Sequence, residues 1–239
     1  MKLFNPNPKI TLIPIPGHLP CVVIDDFLVN PQALVDGAGK LFGDFVMAPH
    51  NAFPGLEMRM PDAFSWQLSD FFMLHIRRLL TARRVISMYS RLSMVTLKNH
   101  ELSNFQRVCH HDKFSKDPMQ CFGASVLYLF HDAQLGGTSF YLPKISDDAI
   151  ARIYTPDSEW LSIPSETFTD LIGTPPKYQT SSNNVFELVC TVPAAWNRVI
   201  FYDGSIFHSA HITEPDLLTT DPTRGRLTLN GFFTCRKSL

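Results

Sequence analysis

The sequence predicts a mainly β protein with flanking helices, and three observations lead there. From about residue 85 onward, short runs rich in β-branched and aromatic residues are bounded by turn residues. Before that point helical periodicity dominates. The composition, with 19 Phe and 18 Pro among 239 residues and 45% hydrophobic residues, is that of a loop-rich chain able to bury a sizeable core. Residues 1–239 are therefore expected to form one domain, with an N-terminal strand and supporting helices over 1–84 and a β core over 85–239.

In chain order, residues 22–24 read as a short buried strand. A helix follows with Asn30 as N-cap and Pro31 at its first turn, and Gly43 lies just past its end. Residues 45–63, rich in proline and without a period, read as a loop that reaches over another part of the molecule, with Arg59 a solvated charge. Phe64, Leu68, Phe71, Phe72, Ile76, Leu79 and Leu80 recur at helical spacing and predict an amphipathic supporting helix in which His75 is a packed or surface residue. Strands are then predicted over 86–97, 121–130, 137–142, 184–192, 197–203, 206–212 and 226–235. Residues 143–183, with Trp160 and several prolines, interrupt this series as an insertion at the mouth of the β core.

Charge and cysteine usage exclude several functions. With 21 Lys and Arg against 22 Asp and Glu and no basic block, nucleic acid is not an expected partner. Five cysteines, Cys21, Cys109, Cys121, Cys190 and Cys235, are odd in number and scattered without a C-x-x-C pair, against a disulfide framework or a structural zinc site. No apolar run is long enough for a membrane span and the start lacks a signal-peptide core. A cytoplasmic location without membrane association is the expectation; nothing in the sequence speaks to oligomeric state.

The chemistry concentrates in "RVCHHDKF", residues 107–114. On an extended segment, His110 and Asp112 share one face while His111 and Cys109 point to the other. Cys109 is thus expected in the core and His111 outside the ligand set. A third ligand can come from "FYDGSIFHSAHI", which offers His208 and His211 on opposite faces; His208 is preferred. Two imidazoles and one carboxylate, with adjacent positions left open, make the ligand set of non-haem Fe(II) oxygenases. Gly136 and Gly137 permit a bend, expected where the chain passes close to the metal. In "TRGRLTLNGFF", Arg226, Thr228 and Asn230 share a face, with Leu227 and Leu229 opposite. An interior guanidinium needs a carboxylate, and a dicarboxylate cosubstrate would supply one.

The order H-x-D (His110, Asp112), then G-G-T-x-F (Gly136, Gly137, Thr138, Phe140), then His208, then G-x-R-x-x-L-x-x-F (Gly225, Arg226, Leu229, Phe232) resembles the prolyl-hydroxylase-like branch of the Fe(II)/2-oxoglutarate-dependent dioxygenases. The resemblance is strongest over residues 107–234. It implies a double-stranded β-helix, the jelly-roll or cupin-like barrel, with Fe(II) held by His110, Asp112 and His208. It also implies 2-oxoglutarate as cosubstrate with its distal carboxylate on Arg226, helped by Tyr128 or Thr228, and O2 as oxidant. The activity implied is hydroxylation of a small molecule, amino acid or peptide side chain, with a non-catalytic jelly-roll binding protein as the alternative. One departure is the spacing: 18 residues separate His208 from Arg226, against about ten in the family. An inserted loop explains this but leaves Arg224 as a rival to Arg226 and His211 to His208. Phe53, Phe114, Tyr154 and Trp160 are candidates for the rim of a substrate pocket.

Overall fold

The computed structural model describes residues 2–47, 53–113, 115–154 and 163–238. Two antiparallel sheets face one another. The larger contains, in spatial order, β1 (Ile10–Ile13), β2 (Cys21–Ile24), β9 (Val199–Asp203), β6 (Gln120–Tyr128), β11 (Arg226–Lys237), β5 (Ala82–Val95), β4 (Gly55–Arg59) and β3 (Val46–Met47). The smaller is β10 (Phe207–Ala210), β7 (Thr138–Pro143) and β8 (Phe186–Val192). An isolated bridge between His110 and His208 continues the small sheet beyond β10. Facing sheets threaded by repeated crossovers make a jelly roll, the fold class expected.

Side-chain alternation along the strands divides the apolar residues into three layers. Between the sheets lie Val95, Ala124, Tyr128, Phe140, Ile200 and Tyr202. The outer face of the large sheet presents Leu127, Phe201, Leu227, Leu229 and Phe233 to the helical flank. The outer face of the small sheet, with Tyr141, Phe186 and Phe207, is covered by α3 (Asp147–Ile153) and α4 (Ser165–Ile172), which deliver Ile150, Phe168 and Ile172.

The helical flank follows the sequence closely. In α1 (Gln32–Lys40) the Asn30 carboxamide accepts the Ala33 N–H at 3.3 Å, the N-cap role its position predicts. The chain leaves that helix through a short turn over Phe42–Asp44, so Gly43 sits inside the turn rather than at the helix end. Helix α2 (Asp62–Phe71) runs on into a single π turn, Phe72–Ile76, which places both Phe71 and Phe72 on the sheet. Phe72 stacks on Phe233 at 4.3 Å between ring centroids. His75 packs against Phe71, and Arg59 is exposed beside Asp62.

Two departures concern the chain ends of the large sheet. Residues 10–13 pair with 21–24 as an edge hairpin that the prolines nearby disguised. The expected loop over 45–63 contains β3 and β4, of which β4 pairs along β5. "GLEMR" has no β-branched residue, so intrinsic preference does not announce a strand; pairing to β5 imposes it. Gly55 is required there, since a Cβ would lie 2.0 Å from the Met94 carbonyl. His50, Phe114 and Trp160 lie outside the described residues. No described helix is long and apolar enough to cross a membrane.

Candidate metal and anion site

Three side chains from distant parts of the chain meet at the edge of the small sheet. His110 and His208 sit opposite each other, exchanging two backbone hydrogen bonds of 3.0 and 2.8 Å, so their rings lie 4.5 Å apart. Two residues on, the Asp112 N–H donates to the Gly204 carbonyl at 2.7 Å, which turns its carboxylate back toward the rings. The resulting separations are 3.4 Å from His208 Nε2 to Asp112 Oδ2 and 4.0 Å from His110 Nε2 to Asp112 Oδ1. One ligand atom from each residue lies within 4.8 Å of the other two. Atoms so placed can grip one cation. Among the described residues this is the group of three or more His, Cys, Asp or Glu so arranged.

Protonation favours the same use. The Nδ1 of His208 lies 3.0 Å from the Ile206 carbonyl, an acceptor only, so Nδ1 carries a proton there and Nε2 is the ring atom left to face a cation beside Asp112. Desolvation in the cavity, with His208 beside it, pulls His110 down to about 4, leaving a neutral imidazole at neutral pH. Burial works to raise the Asp112 carboxyl, but His208, His110 and Arg91 together hold it below its usual range. The trio can therefore offer two imidazole nitrogens and one carboxylate oxygen to a cation.

The site opens into a cavity of about 490 Å³ between the sheets. Arg226 forms part of its lining and is 3% exposed. Its Nε donates to the Leu135 and Gly136 carbonyls and its Nη2 to that of Gly137 at 2.8 Å. Among the described residues no carboxylate pairs with it, Nη1 carries no hydrogen bond, and burial presses its pKa below the ordinary value. The Gly137 carbonyl also accepts the His211 N–H, three residues past His208 and just beyond the end of β10, which puts the guanidinium further along the cavity from the trio. Gly136 and Gly137 lie against the backbone of His211 and of Val192. Gly136, at φ +80°, crosses the His211 backbone so tightly that a Cβ would lie 1.8 Å from its carbonyl, and both glycines serve as acceptors for Arg226.

The remaining sequence candidates distribute as follows. Thr228 lines the cavity and donates to the Ser93 carbonyl at 3.2 Å. Tyr128 is fully buried behind the wall, its hydroxyl 2.8 Å from that of Thr138, which does face the cavity. His211 turns away to Ser139 at 2.8 Å, and Arg224 is exposed. Cys109 is buried in the layer under α3 and α4, with Tyr154 donating to its carbonyl. Phe53 and Tyr154 reach the rim. The loop that lengthens the His208 to Arg226 connection is pinned by Lys98, whose Nζ donates to the carbonyls of Pro215, Asp216 and Leu218 at 2.8–3.0 Å.

Sequence reasoning passed over Glu57, Arg91, Tyr178 and Gln179, all on the cavity wall. The signal for Arg91 was present: Tyr89, Arg91 and Ser93 alternate along β5, a polar series on the face that points between the sheets. Tyr178 and Gln179 carried none, because the insertion folds back onto the site through contacts remote in sequence; Gln179 Oε1 accepts the Cys109 N–H at 2.7 Å.

The fold and site together define a jelly-roll protein with a convergent His-Asp-His cluster and a buried guanidinium on one cavity. The chain belongs to DUF6445, a family of unknown function whose model matches residues 6–233. No curated protein sequence matches it. Among solved structures, a Pseudomonas putida prolyl-4-hydroxylase is similar at 16% identity over 92% of this chain and 94% of that one, with a TM-score of 0.46. The non-heme alpha-ketoglutarate-dependent epimerase SnoN of nogalamycin biosynthesis is similar at 12% identity over 90% and 76%, TM-score 0.49. HygX from Streptomyces hygroscopicus, solved with nickel and 2-oxoglutarate, is similar at 10% identity over 90% and 82%, TM-score 0.45.

Proposed function

We propose that this chain is an Fe(II)- and 2-oxoglutarate-dependent oxygenase acting on a small molecule. The observation that carries the reading is one cavity with two complementary ends: a convergent pair of imidazoles and a carboxylate, and a buried guanidinium with no acidic partner among the described residues. A donor set of two imidazole nitrogens and one carboxylate oxygen, without a thiolate, fits Fe(II) and leaves adjacent positions for a chelating cosubstrate. When bound, Fe(II) with 2-oxoglutarate and O2 would supply oxidation of a substrate C–H bond, coupled to decarboxylation of the 2-oxoacid to succinate.

The protein's own residues have separable tasks in this reading. His208, its Nδ1–H engaged by the Ile206 carbonyl, keeps Nε2 aimed at the cation. Asp112, anchored through its backbone to Gly204, contributes one negative charge. Arg226 offers Nη1 to the distal carboxylate of the cosubstrate, at a separation that a short dicarboxylate gripping the cation at its other end would bridge. The Thr228 hydroxyl lies on the same wall, and Tyr128 acts through Thr138 by fixing its hydroxyl. Val95, Ala124 and Val126 keep the intervening wall apolar, which limits water near the reacting atoms.

Incubation with Fe(II), 2-oxoglutarate and O2 tests the reading. Succinate above the enzyme-free background, lost in Asp112→Ala and strongly reduced in Arg226→Met, is expected even as slow uncoupled turnover. Failure of the metal-loaded protein to bind 2-oxoglutarate by calorimetry would contradict it.

A further inference from the structure

A second polar cluster lies on the large-sheet wall of the same cavity. Glu57, 6% exposed on β4, accepts from Arg91 Nη1 at 2.6 Å and from the Ser93 hydroxyl at 3.3 Å. Arg91 is held flat by rings, its Cζ 4.6 Å from the Phe232 centroid and 5.6 Å from that of Tyr89, themselves stacked at 4.9 Å. Only Nη1 is engaged. Among the described residues Nε and Nη2, the two donors that form a carboxylate-binding fork, have no partner, and Nε is buried. Asn230, directly opposite Arg91 on β11, likewise has a buried Oδ1 without a partner. Glu57, Arg91 and Asn230 line the same cavity as the trio.

A desolvated ion pair contributes little to stability, and a pair with an open fork and an orphan amide oxygen beside it contributes less. The chemistry that would complete it is specific. The fork takes a carboxylate; Glu57 and the Asn230 oxygen take an N–H cation. Because Glu57 and Arg91 touch, the matching ligand must carry its two opposite charges next to each other. An α-amino acid does so, whereas the interior of a peptide chain has neither charge. Arg226 differs: its fork is already filled by backbone carbonyls, leaving Nη1 for the cosubstrate. We infer that Glu57 and Arg91 form the recognition site for a free α-amino acid, the primary substrate. The inference rests on the oxygenase reading for the reaction but not for the binding.

Calorimetry on the full chain loaded with Mn(II), a redox-inert stand-in for Fe(II), and saturating 2-oxoglutarate tests this. The probes are the twenty proteinogenic L-amino acids, each with its N-acetyl and C-terminal amide derivatives. At least one free amino acid is expected to bind, with affinity falling about 10-fold or more when its carboxylate is amidated, when its amine is acetylated, and in Arg91→Met. Arg91→Lys, which keeps the charge and the Glu57 contact but not the fork, is expected to lose most of the same affinity, so the test survives if the Met variant does not fold. The affinity for 2-oxoglutarate is expected to stay within about twofold in both Arg91 variants. Absence of binding by every free amino acid, equal binding of the blocked derivatives, or parallel loss of 2-oxoglutarate binding in Arg91→Lys would each overturn the inference. Failure of the unaltered protein to bind 2-oxoglutarate would instead remove the oxygenase reading, while Arg91-dependent amino acid binding would still support this site.

Discussion

Arg107 and Arg226 are both buried, 1% and 3% exposed, and neither is paired with a carboxylate among the described residues, yet they serve different ends. Arg107 points away from the cavity. Its Nη1 donates to Asn104 Oδ1 and to Ser165, its Nη2 to the Thr169 hydroxyl and the Thr174 carbonyl, and the guanidinium lies over Phe168. It ties the segment entering His110 to α4 and the turn after it. Arg226 has its fork fixed by three carbonyls and the remaining nitrogen turned to the cavity. A buried cation whose two terminal nitrogens are both held by the protein, with only Nε lacking a partner among the described residues, acts as a clamp; one that lines the cavity with a terminal nitrogen left over is a candidate receptor.

Substitution separates the two. Arg107→Met removes charge-assisted hydrogen bonds to the part-buried acceptors of Asn104, Ser165, Thr169 and Thr174, so its unfolding free energy is expected to fall by about 3 kcal/mol, measured by urea denaturation of the metal-free protein. Arg226→Met likewise removes a buried charge with its hydrogen bonds and leaves the Leu135 and Gly137 carbonyls without that donor, so a loss of similar size is expected. The ligand readout tells the two apart. Affinity for 2-oxoglutarate is expected to fall about 10- to 100-fold in Arg226→Met, as for a lost hydrogen bond to a charged group, and to stay within about twofold in folded Arg107→Met.

A smaller effect sharpens the same contrast. Lys98 is a third clamp, on three carbonyls of the loop between His208 and Arg226. Lys98→Met is expected to lower stability by about 1–2 kcal/mol and to weaken 2-oxoglutarate binding less than Arg226→Met does. The smallest expected signal is in pH. His110, held at about 4 against an ordinary 6.5, takes up its proton later in the folded chain than in the unfolded one, so the metal-free protein loses stability as pH falls from about 6.5 toward 4. Asp112, held below 3.8, extends that loss to still lower pH. In denaturation series at stepped pH, His110→Gln should flatten the upper part of the curve and Asp112→Asn the lower.

The trio was legible in the sequence because its signals are local: H-x-D on an extended segment fixes two side chains on one face, and strand alternation leaves a choice between His208 and His211. Backbone pairing sets His208 beside His110 and leaves His211 turned toward Ser139. Most strands were legible from β-branched and aromatic runs. What escaped notice depends on non-local contact. β4 forms because β5 is there to pair with it, Tyr178 and Gln179 arrive at the cavity only through the fold of the insertion, and the acceptors that fill the fork of Arg226 are carbonyls, which no side-chain pattern reports. Arg91 was readable from its alternation with Tyr89 and Ser93 but gains its meaning only beside Glu57.

The account rests on a single cation shared by three side chains. A crystal soaked in Co(II) and measured at the cobalt absorption edge tests this directly. The account predicts one strong anomalous peak per chain, about 2.0–2.2 Å from the Nε2 atoms of His110 and His208 and from a carboxylate oxygen of Asp112. A peak held by His211 in place of His208, or none among these residues in a crystal that binds cobalt elsewhere, would contradict it.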